Sequence, residues 1–166
     1  MKSNIKLNFK TQLKLIGTCL AASLISFNSM AANTKGFQVA VVELTPGAKE
    51  IIEGQYQTGL KKLTLQKTAK RPSFNRSLTL CAANIMVNDF QSADGACTVA
   101  IEKYKNRNGM NHKYLRSIAY SNRGIARYLQ GDKEGASTDL RTAASIDRNR
   151  IVMANLAKIK RKSNID

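Results

Sequence analysis

The stretch 119–149, AYSNRGIARYLQGDKEGASTDLRTAASIDRN, constrains the fold of this chain more than any other. Apolar residues recur at helical spacing on both sides of Gly131-Asp132, which interrupts the pattern and favours a turn. Asp132 can also accept hydrogen bonds from the free amides at the start of the second segment. The stretch therefore predicts two amphipathic helices joined as a hairpin.

Three turn signals along the chain are spaced as in a repeat. The first residues of these turns are Gly54, Asn88 and Gly131, so the separations are 34 (88 − 54) and 43 (131 − 88), the second being 34 plus nine inserted residues. Small residues stand five positions after each turn start, and larger apolar or cysteine residues nine after it: Gly59, Ala93 and Ala136, then Leu63, Cys97 and Leu140. The spacing predicts repeated helical hairpins.

A helix-turn-helix period of 34 residues resembles the tetratricopeptide repeat, TPR. The last hairpin carries the resemblance best, through Tyr120, Gly124, Ala136, Leu140 and Ala143. Arg123 and Arg127 depart from the pattern because they replace apolar residues, and Arg148 stands where a proline usually ends the repeat. The resemblance covers about residues 46–149 and implies an all-α fold with about three TPR-like hairpins in a short solenoid. An irregular α-helical domain without a true repeat is the alternative.

The rest of the chain divides around these hairpins. Residues 32–45, rich in β-branched side chains, predict an extended N-terminal arm, either as a strand or lying on the helices. We expect helices over 48–53, 56–66, 77–86, 90–101, 112–129 and 133–146, with linkers at 67–76 and 106–111. Residues 151–159 predict a C-terminal capping helix, and the basic run 158–162 is expected to fray. The TPR-like domain is therefore assigned to residues 46–166.

Residues 1–31 have the features of a cleaved secretory signal peptide. Four lysines without an acidic residue precede a 13-residue apolar core at 15–27, and Ser29-Met30-Ala31 supplies small residues for cleavage after Ala31. A retained membrane anchor is the alternative, but this core is shorter than the roughly 20 residues that span a bilayer. The sequence predicts export to the bacterial periplasm.

Two cysteines, Cys81 and Cys97, follow the predicted cleavage site. An even number in an exported chain indicates a disulfide. The TPR resemblance implies that Cys81, on the first helix of the middle hairpin, faces Cys97 on the second. Such a bond would stabilise the fold by about 3 kcal/mol. A redox switch or metal site is the alternative, although two ligands are too few for structural zinc.

No catalytic residue, cofactor or metal is predicted. The chain has one histidine, His112, which lies at a loop-to-helix junction and is expected to face solvent. The sequence contains no glycine-rich phosphate loop, nucleophile elbow or paired metal-ligand spacing. An enzyme, or an enzyme accessory, of another type ranks last among the functions considered.

The TPR resemblance implies a non-enzymatic protein-interaction role, in which the first helix of each pair lines a concave groove for a peptide or helix of a partner. The residues that the resemblance places in this groove are Leu78, Ala82, Ile85, Met86, Ile118, Ser121, Asn122, Ile125 and Tyr128. Asn122 stands where family members often place an asparagine that bonds a ligand backbone. The expected partner is an envelope protein or peptide. Alternatively, the apolar members of this set pack under the arm or against neighbouring helices.

The charge of the chain supports a rival interpretation. The formal net charge is +16, and without the four leader lysines 23 basic and 11 acidic residues still give +12. A basic patch before the middle hairpin contains Lys61, Lys62, Lys67, Lys70, Arg71 and Arg76. Such a patch can hold anionic polymer, a membrane surface or nucleic acid by electrostatics. A solvated surface without a specific partner is equally consistent with it. Self-association is a further expectation, since so few repeats leave a face exposed.

Overall fold

The computed structural model describes residues 34, 36–65, 73–105 and 109–163, so the predicted leader lies outside the described residues. These residues form seven helices and no strand: α1 (Ala48–Ile52), α2 (Tyr56–Leu65), α3 (Phe74–Met86), α4 (Phe90–Tyr104), α5 (Met110–Gln130), α6 (Lys133–Ile146) and α7 (Arg150–Ser163). The helices pair as α1 with α2, α3 with α4 and α5 with α6, and α7 packs against α5 and α6. The predicted all-α solenoid of three hairpins with a capping helix is confirmed. No described helix has the length and apolarity needed to cross a membrane.

The predicted turns all adopt a left-handed backbone. Gly54, Asn88 and Gly131 have φ values of 84°, 62° and 104°, a region that glycine and asparagine tolerate best. Two of the turns end in the same helix cap, because the carboxylates of Asp89 and Asp132 each accept a hydrogen bond from the backbone amide three residues on, at 3.1 and 2.8 Å. The sequence spacing of the repeat therefore reflects one turn geometry used three times.

Several helix boundaries differ from the prediction, and three of the differences have a clear consequence. α3 begins at Phe74 because the Ser73 hydroxyl accepts a hydrogen bond from the Arg76 amide at 3.3 Å, so part of the predicted linker 67–76 is helical. α5 already begins at Met110, inside the predicted loop. α7 continues to Ser163, so the prediction that the basic run frays is wrong. Lysine and arginine are good helix formers, and their positive charge suits a helix C-terminus.

Small residues lie where paired helices approach each other, as the repeat pattern predicts. A methyl group at Gly124 of α5 would lie 3.0 Å from Leu140 Cγ and 3.1 Å from the Ala136 carbonyl oxygen on α6. Between α3 and α4, Cys81 and Cys97 are both completely buried, with an S–S distance of 1.99 Å and a Cα–Cα distance of 5.1 Å. The structure thus brings the two predicted cysteines to disulfide distance across the middle hairpin.

Arg123 and Arg127, the two departures from the TPR pattern, form an ion-pair network between α4, α5 and α6. Arg123 donates two hydrogen bonds of 2.8 Å to the carboxylate of Asp139, whose side chain is only 3% exposed. Arg127 Nε lies 2.8 Å from Asp94, and its Nη1 lies 3.1 Å from Asp139. Burial acts to lower the pKa of Arg123, but hydrogen bonding to Asp139 and the nearby carboxylates raise it above its ordinary value. Charge pairing here replaces the apolar contact of the usual repeat.

Candidate functional site

Residues 37–42 of the N-terminal arm lie across α3, α5 and α7 in an extended conformation. Its central residues are at most 6% exposed: Phe37, Val39, Ala40, Val41 and Val42. The backbone of alternate arm residues bonds to side chains on these three helices, so the arm needs no strand as a partner. We call the surface of α3, α5 and α7 that the arm covers the groove.

Two asparagines hold the arm in the same way. On α7, Asn155 Oδ1 accepts a hydrogen bond from the Gln38 amide, and Asn155 Nδ2 donates one to the Gln38 carbonyl, both at 2.9 Å. On α5, Asn122 Oδ1 accepts from the Ala40 amide at 3.1 Å, and Asn122 Nδ2 donates to the Ala40 carbonyl at 2.8 Å. Each carboxamide thereby satisfies both backbone groups of one arm residue, which matters because a buried unpaired backbone group is costly.

A threonine makes the third backbone contact. Thr79 Oγ1 on α3 lies 3.4 Å from both the amide nitrogen and the carbonyl oxygen of Val42, and 3.2 Å from the Thr45 hydroxyl. These contacts are longer than those of the asparagines and therefore weaker. The three gripped residues, 38, 40 and 42, have their partners on α7, α5 and α3, so the arm runs across the helices against their order in the chain.

The arm side chains divide between two buried apolar clusters. Phe37, Val39 and Val41 belong to the first cluster, while Ala40 and Val42 belong to the second. Phe37 also contacts the Tyr128 ring edge-to-face, with a centroid distance of 5.1 Å, and Lys158 Nζ lies 5.4 Å from the centroid of Phe37. The alternation is that of an extended chain, in which successive side chains point to opposite sides.

Seven of the nine predicted groove residues share the two apolar clusters with arm residues, and the other two are Asn122 and Ser121. Ala82, Ile85, Met86, Ile125 and Tyr128 belong to or pack against the cluster of Phe37, and Leu78 and Ile118 belong to the cluster of Ala40. Asn122 grips the backbone of Ala40, and Ser121 accepts a hydrogen bond of 3.0 Å from Asn155. The apolar members therefore pack under the arm, the alternative raised by the sequence. Contact of these residues with a partner stays a prediction.

Two groove residues were missed by sequence reasoning, although the repeat contains the signal for both. Thr79 stands nine positions before the turn at 88, as Asn122 stands nine before the turn at 131 (88 − 79 and 131 − 122). Asn155 follows Asn122 by 33 positions (155 − 122), close to one repeat length. Treating α7 only as a cap, and not as the first helix of a further repeat, concealed this correspondence.

The basic patch is partly engaged in holding the fold. Arg76 donates two hydrogen bonds to the Leu63 carbonyl near the end of α2, at 3.0 and 2.7 Å, and Lys62 forms an ion pair with Glu50. Lys61 is exposed, whereas Lys67, Lys70 and Arg71 lie outside the described residues. The described members of this patch therefore supply less free positive surface than their number suggests.

The single histidine is only partly exposed, although the sequence predicted that it faces solvent. His112 is half-buried, and its ring centroid lies 5.0 Å from that of Tyr104. This position near the start of α5 is a packing position beside an aromatic ring. Within the described part of the chain, no group of three or more His, Cys, Asp or Glu residues is arranged to hold a metal ion.

No protein-family model and no curated protein matches this chain. Among solved structures, the chain is similar to the second TPR domain of human RPAP3, determined by NMR in complex with the HSP70 peptide SGPTIEEVD. The TM-score is 0.56 and the identity 24%, over 69% of this chain and 88% of that chain. The fold is TPR-like. In this TPR-like fold, α3 and α5 are the first helices of their pairs, and α7 extends the same inner layer beneath the arm.

Proposed function

We propose that this protein is a non-enzymatic interaction protein of the bacterial envelope, which binds a peptide segment of another envelope protein in the groove. The observation that carries the proposal is the grip of Asn122 and Asn155 on an extended backbone. Recognition through backbone N–H and C=O groups fixes the position of a segment, while the apolar surroundings select its side chains. The groove holds an extended segment of its own chain, which supports the proposal that it can hold a partner segment in the same way.

The structural neighbour supports the same type of activity. The RPAP3 domain is described as a complex with a peptide, so a TPR-like fold of this size can hold one. The groove of this chain presents carboxamides, hydroxyls and apolar side chains, together with the ammonium group of Lys158 near Phe37. These groups suit recognition of a peptide rather than bond-making chemistry.

Two observations support the envelope as the compartment. Residues 1–31 have the charge, apolar core and small residues of a secretory signal. The pair Cys81 and Cys97 lies at disulfide distance, and disulfides persist in oxidising compartments such as the periplasm. Cleavage after Ala31 leaves the arm close to the new N-terminus.

A partner has to compete with the arm for the groove. Because both use the same backbone-binding side chains, the apparent affinity for a partner falls in proportion to the fraction of molecules with an open groove. Each 1.4 kcal/mol of arm stability therefore weakens partner binding about tenfold. Weakening the arm alone should strengthen partner binding, whereas removing a groove side chain from a protein whose arm is already weakened should reduce it.

The opposite effects expected from arm and groove substitutions provide the test. Mature wild-type protein, Phe37→Ala, and Phe37→Ala combined with Asn122→Ala are used to capture proteins from an envelope extract at low and high salt. Phe37→Ala removes an arm contact and should increase capture. Once Phe37→Ala has weakened the arm, adding Asn122→Ala removes a groove contact from the partner and should decrease capture again, whereas general destabilisation would make the second change act in the same direction as the first. Intact mass spectrometry should give an N-terminus at Ala32 and two fewer hydrogens than the dithiol form.

Salt separates the proposal from its rival. Binding through apolar and backbone contacts should survive high salt, whereas binding of phosphate or other anionic polymer should weaken steeply. Capture of lipid, polymer or nucleic acid that salt releases, with no change when Asn122→Ala is added to Phe37→Ala, would contradict the proposal and favour the basic surface as the binding site.

A further inference from the structure

The contacts of the arm define the chemistry of the segment that can replace it. We infer that the groove takes an extended, uncharged segment of another protein that carries the side-chain pattern of the arm. This pattern is an aromatic ring at the position of Phe37, branched aliphatic residues at those of Val39 and Val41, and a small residue at that of Ala40. The inference rests on the proposed function and names the ligand class for the same groove.

The backbone contacts fix the register of such a segment. Because Asn155 and Asn122 bond to residues 38 and 40, a replacement has to place alternate residues opposite the same two amides. Its other side chains then enter the places that the arm now fills. The place of the Phe37 ring is bounded by the Tyr128 ring, at a centroid distance of 5.1 Å, and by Lys158 Nζ, which lies 5.4 Å from the Phe37 centroid. These neighbours suit an aromatic ring with a cation beside its face.

The middle positions exclude charge. Val39, Ala40 and Val41 are 4%, 1% and 6% exposed and lie in clusters made of apolar side chains. A carboxylate there would be buried among apolar groups, a costly position for a charge without a partner. Ala40 is the most enclosed of the three, and the amide of Asn122 grips its backbone, so only a small residue fits at this point. The groove therefore disfavours segments with acidic residues at the middle positions.

Competition with the arm sharpens this selectivity. The arm is part of the same chain, so it is always present beside the groove at high effective concentration. A segment that reproduces only the backbone contacts forfeits the buried apolar contacts that the arm makes. Only a segment that also recreates the apolar contacts can displace the arm, and a weakened arm should lower this requirement.

The inference can be tested with the mature chain and synthetic peptides. A labelled peptide of residues 34–44, TKGFQVAVVEL, is titrated into wild-type protein and into Phe37→Ala, with binding followed by fluorescence anisotropy. We expect binding to Phe37→Ala to be at least tenfold tighter than to wild type. Peptides with aspartate at the positions of Val39 and Val41, or with the sequence SGPTIEEVD, should bind at least tenfold more weakly. Adding Asn122→Ala to Phe37→Ala should weaken binding of the arm peptide at least tenfold relative to Phe37→Ala alone.

Several outcomes would overturn the inference: equal binding of the aspartate or SGPTIEEVD peptide, or no binding of the arm peptide to Phe37→Ala. Circular dichroism verifies that the variant is folded, and Val41→Ala, a smaller truncation, replaces it if it is not. A wild-type dimer by light scattering, abolished by Asn122→Ala, would reassign the groove to the arm of a second copy and also overturn the inference.

The peptide test and the capture test fail separately. If the arm peptide does not bind while a salt-resistant envelope protein is captured, the proposed ligand class is wrong and the interaction role stands. If the arm peptide binds with the expected selectivity and no envelope protein is captured, the groove chemistry stands and the proposed partner is wrong.

Discussion

Asn122 and Asn155 stand 33 residues apart on neighbouring inner helices, and each holds the N–H and C=O of one arm residue with its own carboxamide. A carboxamide has an acceptor and a donor side by side, so it can pair with both backbone groups of one extended residue. The two gripped residues, Gln38 and Ala40, are two positions apart in the arm. One repeat length along the helices, from Asn122 to Asn155, therefore corresponds to two residues along the extended arm.

The first prediction concerns the contribution of the Asn122 amide to stability. Asn122→Ala leaves the N–H and C=O of Ala40 unpaired in a buried site, so it should reduce the free energy of unfolding by about 2–3 kcal/mol. Asn75→Ala, at an exposed position of α3, is the control and should change it by less than about 0.5 kcal/mol. Urea unfolding under non-reducing conditions measures both. Equal effects would show that the arm contact contributes nothing specific.

A second prediction compares two helical glycines. A methyl group at Gly59 would lie 2.6 Å from Ile51 Cγ1 and 2.7 Å from the Gly47 carbonyl, so Gly59→Ala should destabilise the fold by about 1–3 kcal/mol. A methyl group at Gly95 meets nothing within 4 Å, so Gly95→Ala should stabilise the fold by about 0.5–1 kcal/mol. Thermal unfolding followed by circular dichroism should move the two midpoints in opposite directions. A higher midpoint for Gly59→Ala would show that α1 and α2 can separate at low cost.

The third prediction concerns the buried carboxylate of Asp139. Asp139→Ala removes the partner of Arg123 and one partner of Arg127, and leaving a buried charge uncompensated costs about 3–5 kcal/mol. Replacing Arg123 and Asp139 together with leucine should recover much of this loss, since no charge of that pair is left buried. A double-mutant cycle of Arg123→Leu, Asp139→Leu and the double variant, measured by urea unfolding, gives the coupling energy. A coupling energy near zero would argue against a structural role for the pair.

Cys81 and Cys97 give the fourth prediction. Cys81→Ala combined with Cys97→Ala should lower the free energy of unfolding by about 3 kcal/mol, because the loop that the bond closes spans 16 residues. Alanine is the preferred replacement because both positions are completely buried, where a serine hydroxyl would need a partner. Reduction of the wild type by dithiothreitol should produce the same shift. If reduction leaves stability unchanged, the two thiols are not bonded in solution.

Local signals made most of the helical architecture predictable. Gly54, Asn88 and Gly131 define turns through their own backbone preferences, and the small residues that follow at fixed offsets mark where helices touch. The start of α3 was harder to place, because it depends on a single Ser73 hydroxyl bond at the edge of a polar linker. Helix ends are set by such individual caps, which periodicity does not reveal.

The groove residues on α3 and α5 were also predictable, since the repeat pattern identifies the first helix of each pair. The sequence raised their occupation by the arm only as an alternative, because it depends on how three helices far apart in the chain are placed side by side. Arg123 and Arg127 present the same difficulty. In the sequence alone, the two arginines stand where the repeat pattern expects apolar residues. Their role becomes clear only from their ion-pair partners, Asp94 on α4 and Asp139 on α6.

The bond between Gln38 and Asn155 joins residues 117 positions apart, and this separation bears on how the chain folds. In an open solenoid each repeat contacts only its neighbours, so folding can begin at any repeat and spread along the stack. Here the arm needs α7, which lies more than 100 residues later in the chain, before its contacts are complete. Closing so long a loop is slow, so we expect the hairpins to form early and the arm to dock last. Because its contacts extend from α3 to α7, we expect the arm to couple these helices so that they unfold together.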